Sequence, residues 1–287
     1  MVLLIYIGAG KSTTMNIVAG LAQCTSGDGL IYNYSINDSI GSIQSLLGVC
    51  PQFDLLFLDL SAVEHIELYS ELKMIDSHLI KGIVEDRLQA VRLWDVKDKP
   101  IRTYSGGMKR RLSMVIATIG DPKIVILDEP TTGMDPVNRR YVWQFIEKFK
   151  ENRVIILTSH SMEEADILGD QIAIMSEGVF KAFGTSISLK NKHGAGYRIS
   201  MVVKEDKVDY MKQFVQKHLP EAKLEDDAAG SLLYQLPTSA TNRIGPFVKL
   251  LEDAEQDKSQ ALEKGIVGNW GISQTTLEEV FLKLIKE

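Results

Sequence analysis

A short apolar run that passes into a small-residue segment ending in lysine and serine is the most constraining feature of this 287-residue chain. The run at residues 2–5 predicts a buried strand, and residues 11–21 predict a helix with one apolar side. Small residues at a strand-to-helix turn let backbone N–H groups point at phosphate oxygens, and the positive end of the helix favours the same charge. The segment therefore predicts a phosphate-binding loop in an α/β fold.

Each residue of this loop has an expected role. Lys11 is expected to contact the β- and γ-phosphates of a nucleotide, and Ser12 to offer its hydroxyl to Mg²⁺. The usual pattern has a glycine and a polar residue where this chain has Ile5 and Ile7, so a plain glycine-rich turn is the alternative. The predicted nucleotide-binding residues are Gly8, Ala9, Gly10, Lys11, Ser12 and Thr13.

A second apolar run, at residues 124–127, ends in two acids. Ligands of open α/β sheets bind at the carboxyl ends of the strands, where such acids would lie. Asp128 is expected to hold Mg²⁺, and Glu129 to take a proton from an attacking water. A strand that simply leaves the core into a polar turn is the alternative, and the Gly-Lys-Ser loop in the same chain argues against it.

The remaining pattern separates two regions. Apolar runs at residues 46–49 and 154–158 alternate with predicted helices, which indicates a mainly parallel sheet covered on both faces. After residue 194 the order becomes strand, helix, strand, helix, strand, helix, which predicts a small α+β domain. Its last helix begins with Thr275–Glu278 in the pattern of a capping box.

Charge and cysteine content exclude several classes of protein. The net charge of −6 argues against a general nucleic-acid binder, which would carry a basic excess. Cys24 and Cys50 are too few for a disulfide scaffold, which favours a reducing compartment. No stretch reaches the roughly 20 apolar residues that cross a bilayer.

A third glycine motif, beginning at Ser105, completes a recognisable set. Ser105, Gly106 and Gly107 are predicted to begin a helix and to present a second set of free N–H groups to an anion. A plain N-cap formed by Ser105 is the alternative. This stretch resembles the signature motif of ATP-binding-cassette (ABC) proteins. Together with the two motifs above, it makes about residues 2–184 resemble the nucleotide-binding domain of that family. Gln52 matches the Q-loop of that family, Asp135 its D-loop and His160 its H-loop.

The resemblance implies an architecture. Residues 1–190 are expected to form an ABC-type P-loop NTPase cassette with a mainly parallel sheet, a helical subdomain at about residues 53–120, and its first N-terminal strands missing. Residues 194–287 are expected to form a regulatory α+β domain of ferredoxin-like type.

The resemblance also implies a mechanism. Two cassettes sandwich ATP head to tail, so that Ser105, Gly106 and Gly107 complete the site of the partner. In that arrangement Glu129 is the general base, and His160 contacts the γ-phosphate. Gln52 senses Mg²⁺ and the γ-phosphate and connects to the transmembrane domain, while Asp135 lies at the dimer interface.

The stretches around Gln52, Ser105 and His160, together with the C-terminal residues, resemble the A subfamily of eukaryotic ABC transporters, which moves lipids or sterols. This implies a cytoplasmic position at a membrane, a second cassette and a transmembrane domain as partners, and no nucleic acid. Two alternatives stay open: a non-hydrolysing regulatory cassette and a soluble ABC ATPase without a transport role.

Overall fold

The computed structural model describes residues 2–5, 10–228, 230–256, 262 and 266–286. Its contacts divide the chain into two units, Met1–Thr185 and Ser186–Glu287. None of the helices within these described ranges is both long enough and apolar enough to cross a membrane.

The first unit contains a sheet covered by helices. Its strands are β1 (Val2–Ile5), β2 (Leu30–Ile31), β3 (Tyr34–Ser35), β4 (Leu47–Cys50), β5 (Ile124–Asp128), β6 (Val154–Ser159), β7 (Ile172–Ser176) and β8 (Val179–Gly184). Its α-helices are α1 (Lys11–Val18), α2 (Ile40–Leu46), α3 (Ala62–Leu72), α4 (Ser77–Ala90), α5 (Gly106–Ala117), α6 (Pro136–Phe149) and α7 (Met162–Leu168).

The main sheet has the order β4-β5-β6-β1-β7-β8 in the described part of the chain. Neighbouring strands are parallel, except that β8 pairs antiparallel to β7. Every residue of β5 and β7 is buried, because helices cover both faces of a parallel sheet. The predicted α/β cassette with a mainly parallel sheet is confirmed.

Strand β7 and its partner β8 were not predicted from the sequence. The four apolar residues at the start of β7 fit a buried helix segment as well as a strand, and only pairing with β1 selects the strand. Strand β8 carries exposed side chains along most of its length, so it has little hydrophobic signal.

Helices α3, α4 and α5 lie between β4 and β5 in the chain and form the predicted helical subdomain. Helix α3 begins with a capping box: the Ser61 hydroxyl accepts from the Glu64 N–H, and the Glu64 carboxylate accepts from the Ser61 N–H. Helix α5 also lies close to β4. A Cβ at Gly48 would come within 1.8 Å of the Ala117 carbonyl oxygen, so only glycine fits there.

The second unit is a four-stranded antiparallel sheet with helices, as the α+β prediction required. Its elements are α8 (Ser186–His193), β9 (Tyr197–Val203), α9 (Val208–His218), β10 (Lys223–Ala228), β11 (Ser231–Leu236), α10 (Thr241–Glu255), β12 (Val267–Gln274) and α11 (Leu277–Lys286). The strand order is β10-β11-β9-β12. Alternate residues of β9 and β11 join one buried cluster with side chains of α9 and α10.

Two details of this unit correct the sequence analysis. The strand β10 was missed because it is an edge strand whose residues are all exposed, so pairing with β11 defines it. The capping box at Thr275 is wrong: Thr276 accepts from the Glu279 N–H at 3.2 Å, whereas the Thr275 hydroxyl donates to the Gly196 carbonyl at 2.8 Å.

The sequence placed the limits of the two domains at residues 190 and 194, and these limits stay a prediction. Helix α8 belongs to the second unit by its contacts, and it packs against α11.

Candidate nucleotide-binding site

Three of the residues predicted for the site meet around the carboxylate of a fourth, Glu129. Lys11 Nζ donates to Glu129 Oε1, and His160 Nε2 lies 2.6 Å from the same oxygen and 2.7 Å from Lys11 Nζ. Gln52 Nε2 donates to the other oxygen, Oε2, at 3.2 Å. A single carboxylate therefore joins residues from four separate motifs of the sequence.

The order of the strands explains this convergence. Lys11 begins the helix that follows β1, Glu129 follows β5, and His160 follows β6. Because β5, β6 and β1 are consecutive and parallel in the sheet, their carboxyl ends lie at one edge. Local backbone conformation contributes as well: Gly10 at the N-cap of α1 has φ +93°, a left-handed conformation that glycine adopts without strain.

Glu129 is held at the strand end by its own backbone. Its φ is +49°, and its N–H donates to the carbonyl and the hydroxyl of Thr158, at 3.2 and 2.9 Å. The Thr132 hydroxyl donates to its carboxylate at 3.3 Å. A left-handed conformation is uncommon outside glycine and asparagine, so surrounding contacts maintain it.

The two acids of this strand are buried, and each has hydrogen-bond partners. Glu129 is 4% exposed and Asp128 is 8% exposed. Asp128 Oδ1 accepts from the Thr158 hydroxyl at 2.5 Å. Burial lowers the pKa of Lys11, and the nearby Asp128 carboxylate opposes that shift. Lys11 is thus a partly buried ammonium beside two carboxylates. A phosphate can bind there by replacing the Glu129 carboxylate as the partner of Lys11.

The signature residues open helix α5. The Ser105 hydroxyl accepts from the Met108 N–H at 3.3 Å, as an N-cap does. Gly106 and Gly107 line an open cavity together with Gln52 and Glu129. The first turn of α5 therefore lies near Gln52 and Glu129 within the same chain.

Asp135 lies apart from the cluster, exposed at the N-cap of α6. Its carboxylate accepts from the Val137 and Asn138 N–H groups, both at 3.0 Å, and from the Asn138 side chain at 2.5 Å. The bonds from Asn138 hold the pKa of Asp135 below its ordinary value. Asn138 also approaches Gly107, where a Cβ would lie 3.6 Å from its Nδ2 atom, so the D-loop and signature stretches adjoin.

Three predicted ligands of Mg²⁺ differ in how the structure places them. Ser12 is exposed in the first turn of α1, Gln52 is exposed beside Glu129, and Asp128 is buried at the end of β5. A hydroxyl, an amide oxygen and a carboxylate form a set of hard oxygen donors, which is what Mg²⁺ prefers. The donor chemistry therefore fits this ion.

The other predicted loop residues are placed in part. Thr13 is exposed in the first turn of α1. Gly8 and Ala9 lie outside the described residues, as does Ile7, so the fit of the loop to phosphate stays a prediction.

One residue at the site was missed by the sequence analysis as a functional candidate. Arg110, on α5, is buried and donates to the carbonyls of Pro51 and Asp128 and, at 3.3 Å, to Pro130. It also donates to Asp54 at 3.3 Å. Two adjacent arginines, at positions 110 and 111 of α5, were the only signal available, because the acceptors lie 18 to 59 positions away.

Family comparison agrees with this geometry. Residues 6–132 match the family described as ABC transporter, and residues 197–277 match the family described as ACT-like domain. The first unit is an ABC-type ATP-binding cassette.

Residues 6–132 thus carry the domain of the ABC transporter family, and relatives that match nearly the whole chain are named as members of the A family. The chain is 40% identical over 279 residues to "ABC transporter A family member 1" of Dictyostelium discoideum, covering 96% of this chain and 31% of that protein. It is 42% identical over 287 residues to "Phospholipid-transporting ATPase ABCA3" of Homo sapiens, covering 99% of this chain and 16% of that protein. The chain thus spans less than a third of the length of either relative.

Solved structures show the same fold. An ATP-binding subunit of an ABC transporter aligns with a TM-score of 0.61 at 26% identity, covering 68% of this chain and 82% of that one. A dimeric cassette in a post-hydrolysis state, bound to ADP and Pi, aligns with a TM-score of 0.59 at 23% identity, covering 64% and 84%. These matches confirm the predicted P-loop cassette fold.

Proposed function

We propose that this chain is the ATP-binding and ATP-hydrolysing part of a larger ABC transporter that moves lipid. The observation that carries the proposal is the meeting of Lys11, Gln52 and His160 around the buried carboxylate of Glu129, next to Asp128. The lipid cargo rests on the A family relatives, one of which carries phospholipid transport in its name.

Each residue around the Glu129 carboxylate would have a separate role in ATP hydrolysis. Lys11 binds phosphate oxygens through its ammonium, which in the present arrangement is bonded to Glu129. When Lys11 turns to a phosphate, the Glu129 carboxylate is released to accept a proton from an attacking water. His160 lies within hydrogen-bond distance of Lys11 and of Glu129 and would orient both side chains.

Asp128, Ser12 and Gln52 would hold the magnesium ion. When bound, Mg²⁺ neutralises charge on the phosphates. Asp128 is kept in place for this by the hydroxyl of Thr158.

We further propose that a second cassette completes each site. Ser105, Gly106 and Gly107 present the start of α5, where free N–H groups attract an anion, and Ser105 and Gly106 are exposed. Asp135, exposed on the neighbouring α6, would lie at the interface. The transmembrane domain of the same transporter would be the other partner, which places the chain at the cytoplasmic face of a membrane. Residues 194–287 would then be a regulatory domain after a cassette at 1–190.

The first experiment measures the binding of ATP to the intact chain and to Lys11→Ala. Loss of a charge-assisted contact worth about 1.5–3 kcal/mol weakens binding by roughly 10- to 100-fold. Lys148→Ala, an exposed lysine on α6, is the matched control and is expected to leave the dissociation constant unchanged. Equal affinity of the Lys11 variant and the intact chain would show that this loop is not the nucleotide site.

A further inference from the structure

Arg110 connects the segment that carries Gln52 with the segment that carries Glu129. Its side chain is 7% exposed and donates to four acceptors on two segments outside its own helix. Two acceptors, the Pro51 carbonyl and the Asp54 carboxylate, lie on either side of Gln52 in the chain. The other two, the carbonyls of residues 128 and 130, lie on either side of Glu129.

The geometry of a guanidinium makes this connection rigid. It is planar and carries five N–H donors in fixed directions, so several acceptors bound at once must keep one relative arrangement. Burial adds to the constraint, because moving one acceptor away leaves a buried charged donor without a partner. A shift of the segment 51–54 is therefore resisted by, or transmitted to, the segment 128–130.

The neighbouring Arg111 has a different role. It is buried too, but it donates to the carbonyls of Val91, at 2.9 Å, and Gly107, at 3.3 Å. Both acceptors belong to the helical subdomain. The link from α5 to the end of β5 is therefore particular to Arg110 within this pair.

We propose that Arg110 is a positioning residue that sets Gln52 and Glu129 relative to each other, so that movement of the segment 51–54 changes the alignment of the base. The proposal rests on the proposed function of Glu129 in ATP hydrolysis. Gln52 donates to Glu129 directly at 3.2 Å, and Arg110 holds the backbone on both sides of that hydrogen bond.

The test compares Arg110→Met with Arg153→Met in the full chain. Arg153 is the matched control because it also donates to two carbonyls, of Phe149 and Glu151, and to one carboxylate, of Asp121. Those acceptors flank the other end of the sheet, where β6 begins. Both variants lose a guanidinium with several partners, and both are expected to lower the melting temperature.

Only the Arg110 variant is expected to change catalysis selectively. Loss of the hydrogen bonds that Arg110 donates misaligns Glu129 and lowers kcat by about 10-fold or more, while KM and the ATP dissociation constant stay within about 3-fold. Amide hydrogen exchange in the segments 52–54 and 128–132 becomes faster. Arg153→Met keeps the kcat and the exchange of both segments.

A milder variant covers the case in which Arg110→Met does not fold. Asp54→Asn keeps the shape of the side chain and weakens one of the four contacts, so it is expected to lower kcat by a smaller factor and to speed exchange in both segments. In the double variant the Asp54 substitution adds nothing, because its partner is already absent.

The outcomes separate the two proposals. If the intact chain neither binds nor hydrolyses ATP, the proposed function fails. If the intact chain hydrolyses ATP and Arg110→Met keeps its kcat, or loses kcat and ATP affinity equally, the positioning role is wrong. If amide hydrogen exchange in the segment 128–132 is unchanged in both Arg110→Met and Asp54→Asn, the positioning role is wrong whatever the turnover.

Discussion

Burial decides what single residues of this chain can do. Glu129 is an acid placed at the end of an apolar strand, and it is retained there by a lysine, a glutamine, a threonine and a histidine around its two oxygens. The same acid on the surface would exchange these contacts for water. Its chemistry is therefore a property of position as much as of residue type.

Replacing Glu129 by glutamine tests its role as base. The amide keeps the shape and several hydrogen bonds but cannot accept a proton, so ATP turnover should fall by about 10²- to 10⁴-fold while ATP binding persists. Phosphate release and ATP affinity are measured side by side. Glu163→Gln, the same change at an exposed position of α7, should leave turnover intact, and rapid turnover by Glu129→Gln would falsify the assignment of the base.

The two cysteines should differ in reactivity. Burial raises the pKa of the Cys50 thiol to about 12, whereas Cys24 is half-buried. Since the thiolate is the reactive form, a neutral alkylating reagent near pH 8 should modify Cys24 in the native protein and Cys50 only after unfolding. Mass spectrometry of the alkylated peptides shows this directly, and alkylation of both sites at similar rates in native protein would contradict it.

At the scale of elements, helix ends and strand ends place the functional groups. Helix α1 begins at Lys11, α5 begins at Gly106 and α6 begins at Pro136, each next to a predicted motif. Side-chain caps at Ser105 and Asp135 define the last two starts. A helix that began one turn earlier or later would carry its functional residues to another face.

The capping box of α3 gives an element-scale prediction. Ser61→Ala should lower the free energy of unfolding by about 1 kcal/mol, because the Glu64 N–H loses its acceptor. Ser77→Ala, at an exposed position in the first turn of α4, should change it by less than about 0.5 kcal/mol. Chemical unfolding of both variants measures the difference, and equal stabilities would exclude a stabilising cap.

The same box predicts a pH dependence. Hydrogen bonds from Ser61 lower the pKa of Glu64 below its ordinary 4.5. A lowered folded-state pKa stabilises the protein above the unfolded value, and this contribution is lost as pH falls through the folded value. The gap in stability between the intact chain and Glu64→Ala should thus be full at pH 7 and narrow below pH 4.5, because this variant removes the carboxylate, whereas Ser61→Ala keeps the backbone N–H that lowers the pKa of Glu64 most.

The whole molecule consists of two units, each with its own core. The second unit has a cluster of buried residues drawn mainly from β9, β11, α9 and α10, which Leu219, Ala240, Leu262 and Ile266 complete. A unit that buries its own apolar surface has the means to fold independently.

Residues 186–287 are therefore expected to unfold cooperatively as an isolated fragment. Phe247 is 1% exposed in the cluster, so Phe247→Ala should cost about 3–5 kcal/mol. Leu282→Ala, at a half-exposed position of α11, should cost less than about 1 kcal/mol. Thermal unfolding followed by circular dichroism decides this, and a fragment without a cooperative transition would refute the independence of the unit.

Much of the fold and part of the site could be predicted from the sequence. The strands β1, β5 and β6 are continuous apolar runs, and such runs leave few alternatives to a buried parallel strand. Lys11, Glu129 and His160 follow these three strands, so their meeting at one edge follows from parallel order. Strands β7, β8 and β10 could not be predicted in this way, because short or exposed runs gain their strand identity from a neighbour.

The sequence by itself determined the class of fold, the family and the candidate residues, because periodicity and motif spacing are local properties that survive in a linear chain. Only the tertiary structure decided that Lys11 forms a hydrogen bond with Glu129 and that Thr276 caps α11 in place of Thr275. It also decided that Arg110 donates hydrogen bonds to residues on both sides of Gln52 and of Glu129. Those contacts depend on the final packing, since the direction of a side chain is set by what surrounds it.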